Sequence, residues 1–271
     1  MRVAILGTGK MGAAMANRLA IAGHELHLWN RTRSRADSLG VGAVYDTPET
    51  AVGAAEVVIT ALTGPSAVRD VYGGLPDDGE RVYLEMSTAG PEIPEELAGR
   101  FPNLVAAPII AAPAAVEGGR ALILAAGPPA AIARARPVLD SLGDHRDVGT
   151  RRKAAQLKLL NNAMLAVTIA VAAELLTAGV KRGLTPDEAF EFMKRHAPYI
   201  ETRKSGYLGG PYEPLTFRLR DMLKDVDLTL AEFDGTSFPM PIVGAVRDAY
   251  ADVVDSHGEL EVTAVLERYR R

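Results

Sequence analysis

The stretch that most restricts this chain is its first thirty-two residues, MRVAILGTGKMGAAMANRLAIAGHELHLWNRT. An apolar, β-branched run, RVAIL, meets Gly7, Gly9 and Gly12 in the pattern G-x-G-x-x-G, and a helical pattern and a second strand-like run, ELHLW, follow. In that context each glycine has a job. The first permits a tight turn, the second lets backbone approach a pyrophosphate, and the third lets helix pack closely on strand. Lys10 and Met11 open the helix, whose first N–H groups have no partner within the helix and face an anion. These residues predict a dinucleotide-binding βαβ unit, with Gly7, Gly9, Lys10, Met11 and Gly12 at the cofactor.

The alternation continues. EVVITAL, RVYLEM, NLVAAP and ALILAA read as further strands, and TPETAVGA, PSAVRDVY and PEIPEELAGR as helices between them. Nearly unbroken apolar strands separated by helices indicate a parallel sheet covered on both faces. From about Lys153 the strand signals stop. A long helix is expected to about Lys181. A second begins at TPDE, with Thr185 as N-cap, Pro186 at the first helical position and Glu188 completing a capping box. Further helices fit Thr216–Glu232, Pro241–Ser256 and Leu260–Arg270, and residues 203–214 look the most loop-like. The expected fold is therefore α/β: an N-terminal doubly wound parallel sheet of Rossmann type over residues 1–153, with an all-α domain over 154–271, joined by the long helix.

The end of the second strand bears on which dinucleotide is used. An NAD site usually places Asp or Glu there, against the ribose hydroxyls. This chain has Asn30, Arg31 and Thr32, followed by Arg33 and Arg35. A guanidinium pairs with a 2′-phosphate that a carboxylate would repel. The expected cofactor is NADP(H), held there by Asn30, Arg31 and Thr32.

Within the long helix the segment QLKLLNNAML places Lys158, Asn161 and Asn162 among apolar residues, where an unpaired polar group costs about 1–3 kcal/mol. At about 100° per residue, Asn162 lies about 40° round the helix from Lys158, and Asn161 about 60° on the other side. Both amides can flank the ammonium. An ammonium so placed can stabilise charge developing on a carbonyl oxygen and donate the proton to it.

The stretches GTGKMGAAMANRLAIAGH, WNRT, VVITAL, MSTAGP, GTRRKAAQLKLLNNAML and MLKDVDLTL match in order and spacing a known group. Over nearly its full length the chain resembles the β-hydroxyacid dehydrogenases, which include 3-hydroxyisobutyrate dehydrogenase and the glyoxylate and succinic semialdehyde reductases. The resemblance implies that Lys158 is the catalytic lysine and Asn162 its partner. It also implies that Leu62, Thr63, Ser87 and Thr88 lie beside the cofactor, and that Lys224 of the Lys224-Asp225 pair closes over the nicotinamide.

One loop departs from the family. Its substrate loop normally reads roughly Asp-Ala-Pro-Val-Ser-Gly-Gly, whereas this chain has AAPIIAA, with Ile110 for the serine and Ala111 and Ala112 for the glycines. Ile110 beside a carboxylate would desolvate it without a compensating bond. Ser87, Ile110, Ala111 and Ala112 are the expected substrate contacts, and a more apolar or larger substrate than the usual small hydroxy acid is expected. The same loop, with LWNRT and YDTPETAVGAAEVVITALT, resembles the NADPH-dependent imine reductases, which typically lack the lysine. Carbonyl–alcohol chemistry is the expected reaction, imine reduction the alternative, and a non-catalytic NADPH sensor a third reading that the presence of Lys158 opposes.

The remaining expectations are broader. With 271 residues and a net charge of −4, nothing in the electrostatics favours nucleic acid or an anionic membrane. The chain has no cysteine and five histidines, and no residues are spaced to ligate a metal. The longest apolar run, Ala163–Ala173 broken by Thr168, is about half of the roughly 20 residues a membrane span needs. A cytoplasmic enzyme acting on a small molecule is expected, as a homo-oligomer through apolar helix faces such as AMLAVTIAVAAELL.

Overall fold

The computed structural model describes residues 1–76, 79–234 and 239–270. Its internal contacts divide the chain into two compact units, Met1–Lys158 and Leu159–Arg271. The helix Arg151–Lys181 runs unbroken through both the expected boundary at 153 and this division.

The first unit is built on strands β1 (Arg2–Leu6), β2 (Glu25–Trp29), β3 (Ala43–Val44), β4 (Val57–Thr60), β5 (Val82–Glu85) and β6 (Leu104–Ala106), in the order β3-β2-β1-β4-β5-β6. Every pairing is parallel. This is the doubly wound arrangement expected from the alternation, and its strand order reverses between β1 and β4. Alternate residues of β1 serve opposite cores: Val3 and Ile5 pack with Leu28, Ile59 and Leu84, while Ala4 and Leu6 pack with Val58, Tyr72 and Tyr83. Burial on both faces is why these strands read as continuous apolar runs and not as alternating ones.

A second, three-stranded sheet follows, made of β7 (Ile109–Ile110), β8 (Ala121–Ala125) and β9 (Gly143–Asp147), with β7 antiparallel and β9 parallel to β8. Of these only β8 was legible in the sequence. β9 is GDHRD, a polar sequence with low strand propensity, and it pairs because the helix Pro129–Leu142 returns the chain beside β8.

In the second unit the capping box at Thr185 and Glu188 forms as expected, Thr185 Oγ1 accepting from Glu188 N (3.2 Å) and Glu188 Oε2 from Thr185 N (2.8 Å). The helices Leu219–Phe233 and Pro241–His257 lie close to their expected spans. The tail differs: instead of one helix over 260–270 there is a 3₁₀ segment, Val262–Leu266, and a short helix, Glu267–Arg270. The reason is tertiary. Val262 N donates to Phe217 O, and Val262, Thr263, Ala264, Val265 and Leu266 are all buried, so no single helical face would serve.

Membrane-span length needs a correction. The helix Arg151–Lys181 is, by length and composition, long and apolar enough to cross a bilayer; counting only its uninterrupted apolar run missed this. In the fold, Ala166, Ile169, Ala170, Ala173 and Leu176 of this helix form a core with Phe190, Tyr207, Met222 and Tyr250, as in the central helix of a water-soluble bundle.

Candidate cofactor and catalytic site

The glycine loop lies at the carboxyl end of β1, beside the point where the strand order reverses. Gly7 has φ +99°, a left-handed conformation that only glycine adopts readily, and its N–H donates to Trp29 O at 2.8 Å. A Cβ on Gly12 would stand 1.8 Å from Gly7 O, whereas a Cβ on Gly9 would meet nothing within 4 Å. Gly12 is thus required by helix-to-strand packing, and Gly9 leaves open space at the start of the helix Lys10–Ile21. That helix has no side-chain cap at Gly9, so its first N–H groups remain for a ligand. The Thr8 hydroxyl is buried beside them with no hydrogen-bond partner. An open cradle, an uncapped helix start and an orphaned hydroxyl fit the pyrophosphate of a dinucleotide. Lys10 is exposed and Met11 half-buried, at the start of the helix.

Asn30 ties this loop to the end of β2. Its Oδ1 accepts from Thr8 N at 3.0 Å and its Nδ2 donates to Thr32 O at 2.9 Å. Arg31 and Thr32 are exposed. A carboxylate does reach this region, contrary to the reading of an acid-free strand end. Val44 pairs with Leu28, so two residues further Asp46 comes abreast of Asn30, and Trp29 Nε1 donates to Asp46 O at 3.2 Å. The acid lies two residues past β3, away from the end of β2 where the motif is read.

The turns after β4 and β5 are locked together. Leu62 N donates to Ser87 Oγ at 3.0 Å, and Ser87 N donates to Glu85 Oε1 at 2.9 Å. Ser87 is buried, with its hydroxyl engaged by these two turns; Thr88 is half-buried and Thr63 exposed. Glu85, buried at the strand end, was not singled out from the sequence.

Lys158 closes the first unit. Its Nζ donates to Ile109 O at 2.7 Å, three residues past the carboxyl end of β6. The sequence offered the neighbouring amides as partners; the fold gives Nζ this carbonyl as an acceptor. Ile110 packs against a small apolar cluster of Ala106, Leu124, Ala126 and Ala154, so its side chain is partly committed to packing. Ala111 packs on the main core, and Ala112 precedes the helix Pro113–Glu117. Arg120 is exposed and folds over Gly118.

In the second unit Asn162 is buried and its orientation is set from both ends. Its Oδ1 accepts from Asn161 Nδ2 at 3.1 Å, and its Nδ2 donates to Asp225 Oδ2 at 2.6 Å. Asp225 is 1 % exposed, and its other oxygen lies 2.6 Å from Lys224 Nζ. This charge balances what would otherwise be a costly buried carboxylate. The sequence placed Asp225 with Lys224 over the nicotinamide; its bond to Asn162 was not legible there. Asp221, nearby on the same helix, has its carboxyl pushed up by burial, an effect that Lys224 opposes.

Comparison with known proteins follows the same division. Residues 2–154 match the NAD binding domain of 6-phosphogluconate dehydrogenase, and residues 153–269 the NAD-binding domain of NADP-dependent 3-hydroxyisobutyrate dehydrogenase. An oxidoreductase of Bacillus subtilis, YfjR, is 30% identical, with 98% of this chain and 99% of that protein aligned. The chain belongs to the β-hydroxyacid dehydrogenase family. Another member, 3-hydroxyisobutyrate dehydrogenase of Pseudomonas aeruginosa, is 29% identical over 99% of this chain and 98% of its own. Among solved structures, the Mycobacterium tuberculosis 3-hydroxyisobutyrate dehydrogenase with L-serine superimposes with TM-score 0.81 at 24% identity, covering 100% of this chain and 99% of that one. A reductive aminase from Aspergillus terreus with NADPH and ethyl levulinate shares the fold at TM-score 0.62 and 23% identity, covering 100% and 99%. This β-hydroxyacid dehydrogenase relative is thus an oxidoreductase with a nicotinamide cofactor and a small-molecule substrate.

Proposed function

We propose that this protein is an NADPH-dependent reductase, or dehydrogenase in reverse, that interconverts a carbonyl and a hydroxyl, with Lys158 as proton donor and acceptor. One observation carries the reading: a half-buried lysine whose ammonium is held at 2.7 Å by Ile109 O, in the same compact unit as the glycine cradle. The bound nicotinamide would supply or accept the hydride. Lys158 then donates toward the carbonyl oxygen as negative charge develops there, and in the other direction its neutral amine takes the hydroxyl proton. Ile109 O fixes the position of Nζ. Gly7, Gly9, Lys10, Met11 and Gly12 would hold the pyrophosphate, and Asn30, Arg31 and Thr32 the adenosine end. Leu62, Thr63 and Thr88 would shape the nicotinamide side. Lys224 and Asn162 are assigned to the same reaction by the family resemblance.

Ser87, Ile110, Ala111 and Ala112 would border the substrate, and the loss of the hydroxyl and glycine amides there favours a more apolar carbonyl compound than a small hydroxy acid. The same loop supports imine reduction as the second reading. A cytoplasmic enzyme acting as a homo-oligomer is part of the proposal. Leu160, Met164, Val171 and Leu175, spaced to share one helical face, are exposed, and light scattering tests the self-association. The functional test is NADPH oxidation with aldehydes, keto acids and cyclic imines, on the wild type and Lys158→Ala. The variant should bind NADPH as the wild type does and lose about 10²–10⁴-fold in kcat. Undiminished carbonyl turnover would sink the assignment of Lys158, and turnover of imines alone would favour the second reading.

A further inference from the structure

The proposal of NADPH rests on arginines after β2, yet these arginines are not equivalent. Among the described residues Arg31 enters no ion pair, whereas Arg33 pairs with two carboxylates. Its Nη1 pairs with Asp46 Oδ1, its Nε lies 3.5 Å from Asp37 Oδ2, and its Nη2 donates to Val44 O at 3.4 Å. Asp46 is brought there by the pairing of β3 with β2 and by the Trp29 bond to its carbonyl. The sequence shows an arginine run; among the described residues the fold gives Arg31 no ion pair and holds Arg33 on an acid.

We infer that Asp46 is a specificity-determining residue that tunes the preference between NADPH and NADH by holding Arg33 away from the 2′-phosphate. The inference rests on the cofactor reading above and extends it to a residue outside the glycine and arginine motifs. The side chains of Arg33 and Asp46 are 49% and 86% exposed. An ion pair so exposed is worth little, and salt weakens it. A phosphate dianion accepts bidentate bonds from a guanidinium more strongly than an exposed carboxylate does. Arg33 is therefore a reserve ligand. It can pass to a 2′-phosphate at the cost of its pair with Asp46, and it stays on Asp46 when the cofactor has only a ribose hydroxyl.

Equilibrium titration of the full chain with NADPH and with NADH, followed by cofactor fluorescence, tests this without any turnover. Asp46→Asn should tighten NADPH about three- to fivefold, leave NADH within twofold and leave the melting temperature unchanged, since the pair is exposed. Adding Arg33→Gln should abolish that gain, and 0.5 M salt should shrink it. The same tightening in the Asp46→Asn/Arg33→Gln double variant would overturn the inference, because Asp46 would then act by charge alone. So would an unchanged NADPH affinity, or a loss of NADH affinity that marks Asp46 as a ribose ligand. Arg31→Gln separates the two levels. If it lowers NADPH affinity while Asp46→Asn is silent, only the inference fails; if it spares the ratio and NADH binds tighter throughout, the NADPH reading itself fails.

Discussion

Gly9 and Gly12 belong to one motif but answer to different forces, and replacing each with alanine separates them. A Cβ on Gly9 meets nothing within 4 Å, and Gly9 has φ −65° and ψ −172°, extended backbone that alanine adopts freely. The free protein should accept Gly9→Ala within about 0.5 kcal/mol, because lower entropy of the unfolded chain offsets a poorer helix cap. Its melting temperature should move by no more than about 2 °C. Cofactor binding should suffer, since a methyl at the uncapped helix start keeps phosphate oxygens from the N–H groups. Losing one charge-assisted hydrogen bond costs about 1.5–3 kcal/mol, or about 10- to 150-fold in Kd. Gly12→Ala differs: its Cβ would lie 1.8 Å from Gly7 O, where real contacts stay beyond 3.0 Å. Helix and strand must part by more than 1 Å, costing about 1–3 kcal/mol or more, and stability falls together with binding. Scanning fluorimetry and fluorescence titration measure both quantities. Wild-type NADPH affinity in Gly9→Ala refutes the cradle; equal unfolding by both variants refutes the distinction drawn from their surroundings.

Three other perturbations probe different parts of the chain. Asp225→Ala strands the buried Asn162 amide and should cost about 1–3 kcal/mol; Asp225→Asn, which keeps an acceptor, should recover most of it, and equal losses in chemical denaturation would contradict the pairing. Arg203 and Glu261 form a buried pair at 2.7 Å, and Glu261 also accepts from Thr216 N and Phe217 N. Arg203→Ala leaves that carboxylate without its cation and should cost roughly 3 kcal/mol, whereas a calorimetric loss below 1 kcal/mol would show that the backbone N–H groups suffice. Burial pushes His24 and His27 below their ordinary 6.5. The unfolded chain therefore takes up protons that the folded one refuses, so this stability is present above pH 6.5 and lost as pH falls below it. Melting temperatures between pH 5 and 8 should show the decline, less steep in His27→Gln; an identical slope in that variant would remove His27 from the account.

Local physics accounts for the parts of this fold that are legible along the chain. Unbroken apolar strands alternating with amphipathic stretches require a parallel sheet covered on both sides, and the strand–G-x-G-x-x-G–helix order places a cradle at the end of β1. Thr185 and Glu188 specify a helix start through contacts only three residues long. The same local logic failed at β9, where GDHRD pairs only because a helix returns it beside β8. It failed again at residues 260–266, whose helical pattern yields to burial on all sides. The site shows the same boundary. Lys158 and Arg33 are visible as residue types, but their electrostatic state depends on partners 49 and 13 residues away, Ile109 O and Asp46. Asn162 is set by Asp225, 63 residues on. Periodicity reports which way a side chain leaves its own element; only tertiary packing decides which distant carbonyl or carboxylate is waiting there, and that partner sets whether a charge is free to act.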